Sequence, residues 1–264
     1  MATRAAAILE RILESRRGAI AELKADGSAA GLARSVAQAP PPADFRAALV
    51  AAETVTLIAE CKERSPSGGV LQRPYDPVAL ARRYVANGAA ALSVLTEPEF
   101  FGGSLEHLRA IRAAVGVPLL CKDFIVDPVQ VTAARAAGAD AVLLIVAVLD
   151  DVRLRELLAV TRGYGMEALV EVHDEGEVDR ALQADAAIIG INNRDLTTMR
   201  TYKGTTTRLR PLIPAGHVIV SESGINSRAD IDALLRLGVN AALVGESLLR
   251  AEDIEAKVRE LSGR

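Results

Sequence analysis

The sequence predicts an α/β fold, a closed barrel of eight parallel strands and eight helices with a helical extension at its N-terminus. Three observations carry this expectation. Short aliphatic runs alternate with helical patterns, eight such units of similar length follow one another from residue 55 onward, and the runs end on polar or charged residues. Glu60 and Lys62 close Val55-Thr56-Leu57-Ile58-Ala59, Lys122 closes Pro118-Leu119-Leu120, and Glu171 closes Ala168-Leu169-Val170. Asn192 follows Ile188-Ile189-Gly190-Ile191, and Glu222 follows Val218-Ile219-Val220. The carboxyl ends of the strands are where a (β/α)8 TIM barrel assembles its active site, so these ends together point to one site. An open doubly wound sheet would alternate in the same way, but no Gly-x-Gly-x-x-Gly follows the first strand.

Residues 1–50 are expected to form the N-terminal helical extension and residues 51–264 the barrel, a single domain overall. Ile8, Ile12, Leu13, Ile20 and Leu23 recur at helical spacing, which predicts an amphipathic helix over 4–24. The Gly/Ala/Ser/Pro-rich stretch after it, with Pro40-Pro41-Pro42, reads as a loop. The extension either covers one end of the barrel as packing or caps the site and touches substrate, and the sequence favours neither. Strands are expected near 55–62, 90–96, 118–124, 141–147, 167–173, 186–193, 217–223 and 241–247. Helices are expected near 76–87, 104–115, 127–137, 151–165, 174–184, 203–212, 226–238 and 248–262. Asp76-Pro77 and Asp127-Pro128 place a capping carboxylate before a first-turn proline, and Asp150 and Asn226 read as caps of the same kind. Asn87-Gly88, Ala137-Gly138 and Leu237-Gly238 mark helix ends, each followed within a few residues by an aliphatic strand.

Half of the residues are hydrophobic and a quarter charged, as in a soluble globular protein with a large core. With four Phe, four Tyr and no Trp, that core must be Ala, Val, Leu and Ile, which suit strands buried on both faces. A net charge of -3 and no Lys/Arg-dense stretch exclude the electrostatic footprint of a nucleic-acid binder. No apolar stretch approaches the roughly 20 residues of a membrane helix. Glu10, Glu14 and Glu22 argue against a transit peptide at the start. Cys61 and Cys121 alternate away from Glu60, Lys62 and Lys122, so both are expected as buried free thiols between barrel and helices, in keeping with a cytoplasmic location.

Glu60 and Lys62 are two apart on a strand and leave it on the same side, with a structural salt bridge as the plain alternative to a catalytic pair. Lys122, at the barrel mouth beside another cation, is expected to have a lowered pKa. Such a lysine donates a proton near neutral pH or forms a Schiff base. Glu171, between Val170 and Val172, suits a general base. Asn192 and Arg194 share one side of a strand end and offer orienting hydrogen bonds and a fork for phosphate or carboxylate. Ser221-Glu222-Ser223-Gly224-Ile225 and Val244-Gly245-Glu246-Ser247 end the seventh and eighth strands, whose loops often hold a phosphate. Ser65-Pro66-Ser67-Gly68-Gly69 adds further hydroxyl and amide donors. His107, His173 and His217 share no location, and His173 reads as a satisfied surface histidine. No metal-ligand spacing is present, so no metal site is expected. Residue chemistry alone thus reaches a phosphate-handling barrel with two lysines and several glutamates at its mouth.

Longer motifs go further. Glu60-Cys61-Lys62-Glu63-Arg64-Ser65-Pro66-Ser67-Gly68, Val94-Leu95-Thr96-Glu97 with Phe100-Phe101-Gly102-Gly103-Ser104, and Cys121-Lys122-Asp123-Phe124-Ile125 resemble the indole-3-glycerol-phosphate synthase family. So do Leu169-Val170-Glu171-Val172-His173, Gly190-Ile191-Asn192-Asn193-Arg194-Asp195-Leu196, Ser221-Glu222-Ser223-Gly224-Ile225 and Gly245-Glu246-Ser247-Leu248, in the same order along nearly the whole chain. The resemblance implies a carboxy-lyase of tryptophan biosynthesis. Its substrate would be a small phosphosugar-anthranilate, 1-(2-carboxyphenylamino)-1-deoxyribulose 5-phosphate, whose indole ring closes with loss of CO2 and water and without a cofactor. It implies Lys122 as the general acid toward the ribulose carbonyl, Lys62 as the holder of the anthranilate carboxylate and an acid in dehydration, and Glu171 as the base of the later steps. Glu60 and Asn192 would orient, and Glu222 and Ser223 would contact the sugar. Ser65, Arg194, Gly224, Gly245 and Glu246 (through its backbone) would surround the phosphate, and Phe101, Phe124, Pro66, Leu143 and Leu196 would line the aryl slot.

One stretch departs from the family pattern. Where a Thr-x-Phe-x-Val-Asp run is expected after Leu196, the chain has Thr197-Thr198-Met199-Arg200-Thr201-Tyr202-Lys203-Gly204, which should reshape the loop after the sixth strand and the cap of its helix. Two other readings stay open at this point: a different phosphosugar barrel, such as a phosphoribosyl isomerase or a Schiff-base aldolase with Lys122 as nucleophile, and a catalytically silent scaffold. A monomer is expected, with a weak homodimer as the alternative, and no nucleic-acid or membrane partner.

Overall fold

A computed structural model describes residues 4–25, 28–66 and 68–264, with the backbone alone at 4–7 and 28–30. The first three residues of the opening stretch and Ser67 of the first loop lie outside the described residues.

The aliphatic runs form eight strands: β1 (Thr56–Cys61), β2 (Ala91–Leu95), β3 (Leu119–Lys122), β4 (Ala141–Ile145), β5 (Glu167–Val172), β6 (Ile188–Asn192), β7 (Val218–Glu222) and β8 (Ala241–Val244). Each pairs in parallel with the next, and β1 closes on β8 from Thr56↔Ala241 to Ala59↔Val244, so the expected TIM barrel is the observed fold. Side chains alternate between the two faces of each strand. Ile58, Leu120, Leu143, Leu169, Ile188, Val220 and Leu243 fill the interior, while Leu57, Leu92, Val142, Val170, Ile189 and Ile219 face the helices. Cys61 and Cys121 lie in that outer layer as buried free thiols, and burial pushes both up, Cys121 to about 12. Past β1, Arg64–Ser65 and Gly69–Val70 pair as a small antiparallel hairpin that the sequence reading did not foresee.

The helices are α1 (Arg4–Ala25), α2 (Ser28–Gln38), α3 (Phe45–Val50), α4 (Pro77–Ala86), α5 (Pro98–Phe101), α6 (Leu105–Arg112), α7 (Pro128–Ala136), α8 (Asp151–Gly163), α9 (Glu175–Gln183), α10 (Gly204–Leu209), α11 (Arg228–Arg236), α12 (Glu246–Leu249) and α13 (Ile254–Ser262). Asp76, Asp127 and Asp150 cap α4, α7 and α8 as expected, each accepting from first-turn N–H groups. Asn226 is not the cap of α11. Ser227 takes that place in a reciprocal box with Asp230, and the Asn226 N–H donates to Asp230 Oδ2 at 2.8 Å. The helix expected over 248–262 is two, because α12 starts directly off β8 and Asp253 caps a second helix. The one expected over 203–212 ends as a 3-10 turn at Arg210–Leu212, where Pro211 has no N–H to continue it.

The extension is more ordered than its composition suggested. The stretch read as a loop contains α2, in which Ala29, Ala30, Ala33 and Ala37 favour helix until Pro40 stops it, and which packs on α7. Phe45 and Leu49 of α3 are fully buried in the same apolar cluster as Ala91, Ile188, Val218 and Ala241, near the starts of their strands, and Thr56 Oγ1 donates to Leu49 O at 3.1 Å. They plug the amino end of the barrel. At the opposite end α1 crosses the mouth, with Ile12 buried and Arg16 paired to Asp123 at 3.1 Å. Packing and capping are therefore divided between two helices of one extension.

Candidate active site

A cavity of about 460 Å³ opens at the carboxyl ends of the strands, and every site residue singled out in the sequence lines it. Strand alternation explains the convergence. Glu60, Lys122, Glu171, Asn192 and Glu222 each stand two residues beyond an interior aliphatic side chain or glycine on the same strand, so the barrel's own pleat aims them inward.

Lys122 lies at the centre, with Nζ 3.1 Å from Glu222 Oε2 and 3.8 Å from both Glu171 Oε2 and Glu60 Oε2. Glu60 joins the two lysines, since its Oε1 pairs with Lys62 while Oε2 faces Lys122. The expectation of a lowered Lys122 pKa is corrected here. Burial does push it down, but Glu222, Glu171 and Glu60 outweigh burial and hold the group above the ordinary lysine value as an ammonium. The like charge weighed at the sequence level, Lys62, is turned to Glu60.

The carboxylates differ. Burial pushes Glu60 up, yet Lys62 and Lys122 bring it below the usual range. Glu171 is likewise opposed by burial, but His173, Lys122 and the Asn192 amide lower it to about 2. Glu222 goes the other way. Burial and the neighbouring Glu171 raise it to about 7, against the pull of Lys122. Neither Glu222 oxygen has a well-aligned hydrogen-bond donor among the described residues, so its 3.1 Å approach to Lys122 is ionic.

His173 is not a surface histidine. Its ring is mostly buried, with Nδ1 3.0 Å from Glu177 Oε2 and Nε2 3.2 Å from Glu171 Oε1. Burial disfavours the imidazolium, but the two carboxylates raise it to about 10. The signal was present in Asp174-x-x-Glu177, a capping pattern that folds Glu177 of α9 back over His173.

The wall beyond β6, β7 and β8 is cationic and rich in glycine. Arg194 NH2 and Arg250 Nε both pair with the Glu246 carboxylate, at 3.3 and 2.9 Å. Ser223 (φ 64°) and Gly224 (φ 78°) are both left-handed, a conformation costly for serine that turns the chain along the cavity wall. A methyl group on Gly245 would collide with Glu60 Oε1 and lie 3.0 Å from Lys62 Nζ. Arg250 and Lys203 line this wall but escaped the sequence reading. Arg250 is signalled by its place four residues after Glu246 on a helical turn. Lys203 belongs to the atypical stretch and pairs with Asp230 at 3.0 Å. Lys203 precedes α10 in the cap position without a side-chain cap, and Asn193 Oδ1 of the β6 loop accepts the Thr206 N–H. Opposite lies an apolar slot where the Phe101 and Phe124 ring centroids are 6.2 Å apart, with Pro66, Leu143 and Leu196, and with Leu9 and Ile12 of α1.

A cationic, glycine-rich wall, an apolar slot and ionisable groups between them make this a TIM-barrel cavity equipped for acid–base work on a small molecule. A family model for indole-3-glycerol phosphate synthase matches residues 9–261. An indole-3-glycerol phosphate synthase of Roseiflexus sp. (strain RS-1) is 52% identical over 264 residues, covering 97% of this chain and 98% of that protein. One from Dehalococcoides mccartyi (strain CBDB1) is 49% identical over 257 residues, covering 96% and 99%. The chain belongs to the indole-3-glycerol phosphate synthase family. Among solved structures, 3-hexulose-6-phosphate synthase from Salmonella typhimurium superposes with a TM-score of 0.65 at 17% identity, over 79% of this chain and 97% of that one, which supports the fold alone.

Proposed function

We propose that this chain closes the indole ring of 1-(2-carboxyphenylamino)-1-deoxyribulose 5-phosphate, releasing CO2 and water to give indole-3-glycerol phosphate in tryptophan biosynthesis. The observation that carries the reading is Lys122, an ammonium held by three carboxylates between the apolar slot and the cationic wall. The aromatic ring lies in the slot beside Phe101 and Phe124. The phosphate sits against Ser65, Arg194, Gly224, Gly245 and the backbone of Glu246. Binding at both ends folds the flexible substrate so that ring carbon and ribulose carbonyl meet.

As the ring carbon attacks, the carbonyl oxygen takes a proton from Lys122. A raised pKa does not obstruct this, because an alkoxide is a stronger base than an amine. Lys62 holds the anthranilate carboxylate until CO2 leaves and the ring regains its electron pair. The hydroxyl then departs as water with a proton from Lys62, and Glu171, ionised and aimed at the site by Asn192, removes the proton whose loss completes the indole. Glu222 and Ser223 hold the sugar hydroxyls, and Glu60 keeps the two lysines in place. A Schiff-base aldolase needs Lys122 as a free amine, which its three carboxylates oppose.

Incubation with the anilino-deoxyribulose phosphate should yield a product lighter by CO2 plus H2O in mass spectrometry, with no adduct on Lys122 after borohydride. A borohydride-trapped Lys122 would overturn the assignment in favour of the aldolase. Two buried free thiols support a cytoplasmic setting, and the same proposal has the chain acting as a monomer. Among the described residues no helix is long and apolar enough to cross a membrane.

A further inference from the structure

The buried centre of the cavity holds three carboxylates, Glu60, Glu171 and Glu222, but only two lysines, Lys62 and Lys122. A histidine flanked by two carboxylates stands directly behind Glu171. His173 follows Glu171 on the same face of the chain end, presents Nε2 to Glu171 Oε1 at 3.2 Å, and is fixed from behind by Glu177 through both Nδ1 (3.0 Å) and its own backbone N–H (2.8 Å). Its ring is absent from the cavity wall. We infer that His173 is a positioning residue, the third cation of the buried cluster, which pins the Glu171 carboxylate toward the site without touching substrate. The inference rests on the reading of Glu171 as the base.

The groups that face the pair come from every neighbouring element. Lys122 of β3 and Asn192 of β6 meet the inner side of Glu171, and Glu222 of β7 repels it. Glu177 of α9 holds the outer side of His173, and Arg208 of α10 pairs with Glu175 and reaches the His173 carbonyl oxygen at 3.4 Å. Without the imidazolium, Glu171 would be a buried carboxylate facing Glu222, and burial and like charge both favour its protonation. The sign follows. His173→Asn raises the pKa of Glu171, so activity fails on the acid side at a higher pH, while substrate contacts stay intact.

The test compares pH profiles of wild type, His173→Asn and Glu171→Gln. His173→Asn should leave KM within about twofold and move the acid limb of kcat upward by about 1–3 pH units, the range a close opposite charge commands, so that its kcat falls progressively below wild type as pH drops through the shifted limb. Added imidazole should restore part of the loss in His173→Gly. An unmoved acid limb in His173→Asn beside a disabled Glu171→Gln would overturn the inference and leave the base assignment standing. Full turnover by Glu171→Gln would overturn both. Should the variants fold poorly, 15N chemical shifts of the wild-type ring decide: doubly protonated at pH 8 is expected, and a neutral ring at pH 7 refutes the role.

Discussion

Gly190 offers a sharp test of how tightly the barrel interior sets the site. It lies inside β6 level with Glu171 on β5 and Val220 on β7, and its missing side chain is space that Glu222 uses. A methyl group there would collide with Glu222 Oε1 and lie 3.1 Å from Leu169 Cδ1. Relieving the collision needs a carbon–oxygen separation of about 3.5 Å, hence a movement of about 1 Å by a carboxylate that stands 3.1 Å from Lys122. Overpacking of a tight core costs about 1–3 kcal/mol, and misplacing a working group by about 1 Å can cost about 10²-fold in rate. Gly190→Ala should therefore lower Tm by roughly 2–10 °C for a barrel of this size, and kcat by about a hundredfold. Thermal melts and steady-state formation of the indole product measure the two separately. Wild-type kcat with a lowered Tm would show that the Glu222–Lys122 geometry does not govern turnover, and wild-type values of both would refute the packing argument itself.

Other perturbations separate the remaining roles. Lys203→Ala removes a cation from the wall proposed to hold the phosphate without touching the acid–base groups, so KM should rise about threefold to tenfold with kcat unchanged, and a kcat effect would contradict this. Glu222 is held above its ordinary value of 4.5, at about 7, which means that burying its charge costs stability. That stability is fully present below pH 4.5 and lost as pH rises through 7, on the order of 3 kcal/mol. Glu222→Gln should accordingly gain in Tm relative to wild type between pH 5 and pH 8, and a pH-independent difference would sink the reading. Glu171→Gln should retain ring closure better than dehydration, seen as build-up of the hydroxylated intermediate in quenched samples, whereas equal loss of both steps would count against its role as base.

How far the sequence could be read follows from what kind of information each feature needs. Strands and their inward carboxyl-end residues are local: Ile58-Ala59-Glu60 and Leu120-Cys121-Lys122 state both their element and their facing through alternation alone. The electrostatics are not local. Lys62 is the like charge visible near Glu60, but the groups that set Lys122 arrive from β1, β5 and β7, and only closure of the barrel puts three carboxylates around it. His173 escaped for the same reason, since its burial depends on α9 folding Glu177 over it. α2 was missed because four alanines spread among Gly and Ser carry helix propensity without a clear apolar stripe. The shift of the α11 cap from Asn226 to Ser227 reflects a choice between two adjacent residues that Asp230 decides.

One experiment bears on all of this most directly: indole fluorescence on mixing the anilino-deoxyribulose phosphate with the wild-type chain and with Lys122→Ala, alongside calorimetric binding of the substrate to each. Rapid product formation by wild type and near-complete loss of turnover in a variant that still binds are predicted. Product formed by Lys122→Ala at the wild-type rate would contradict the account.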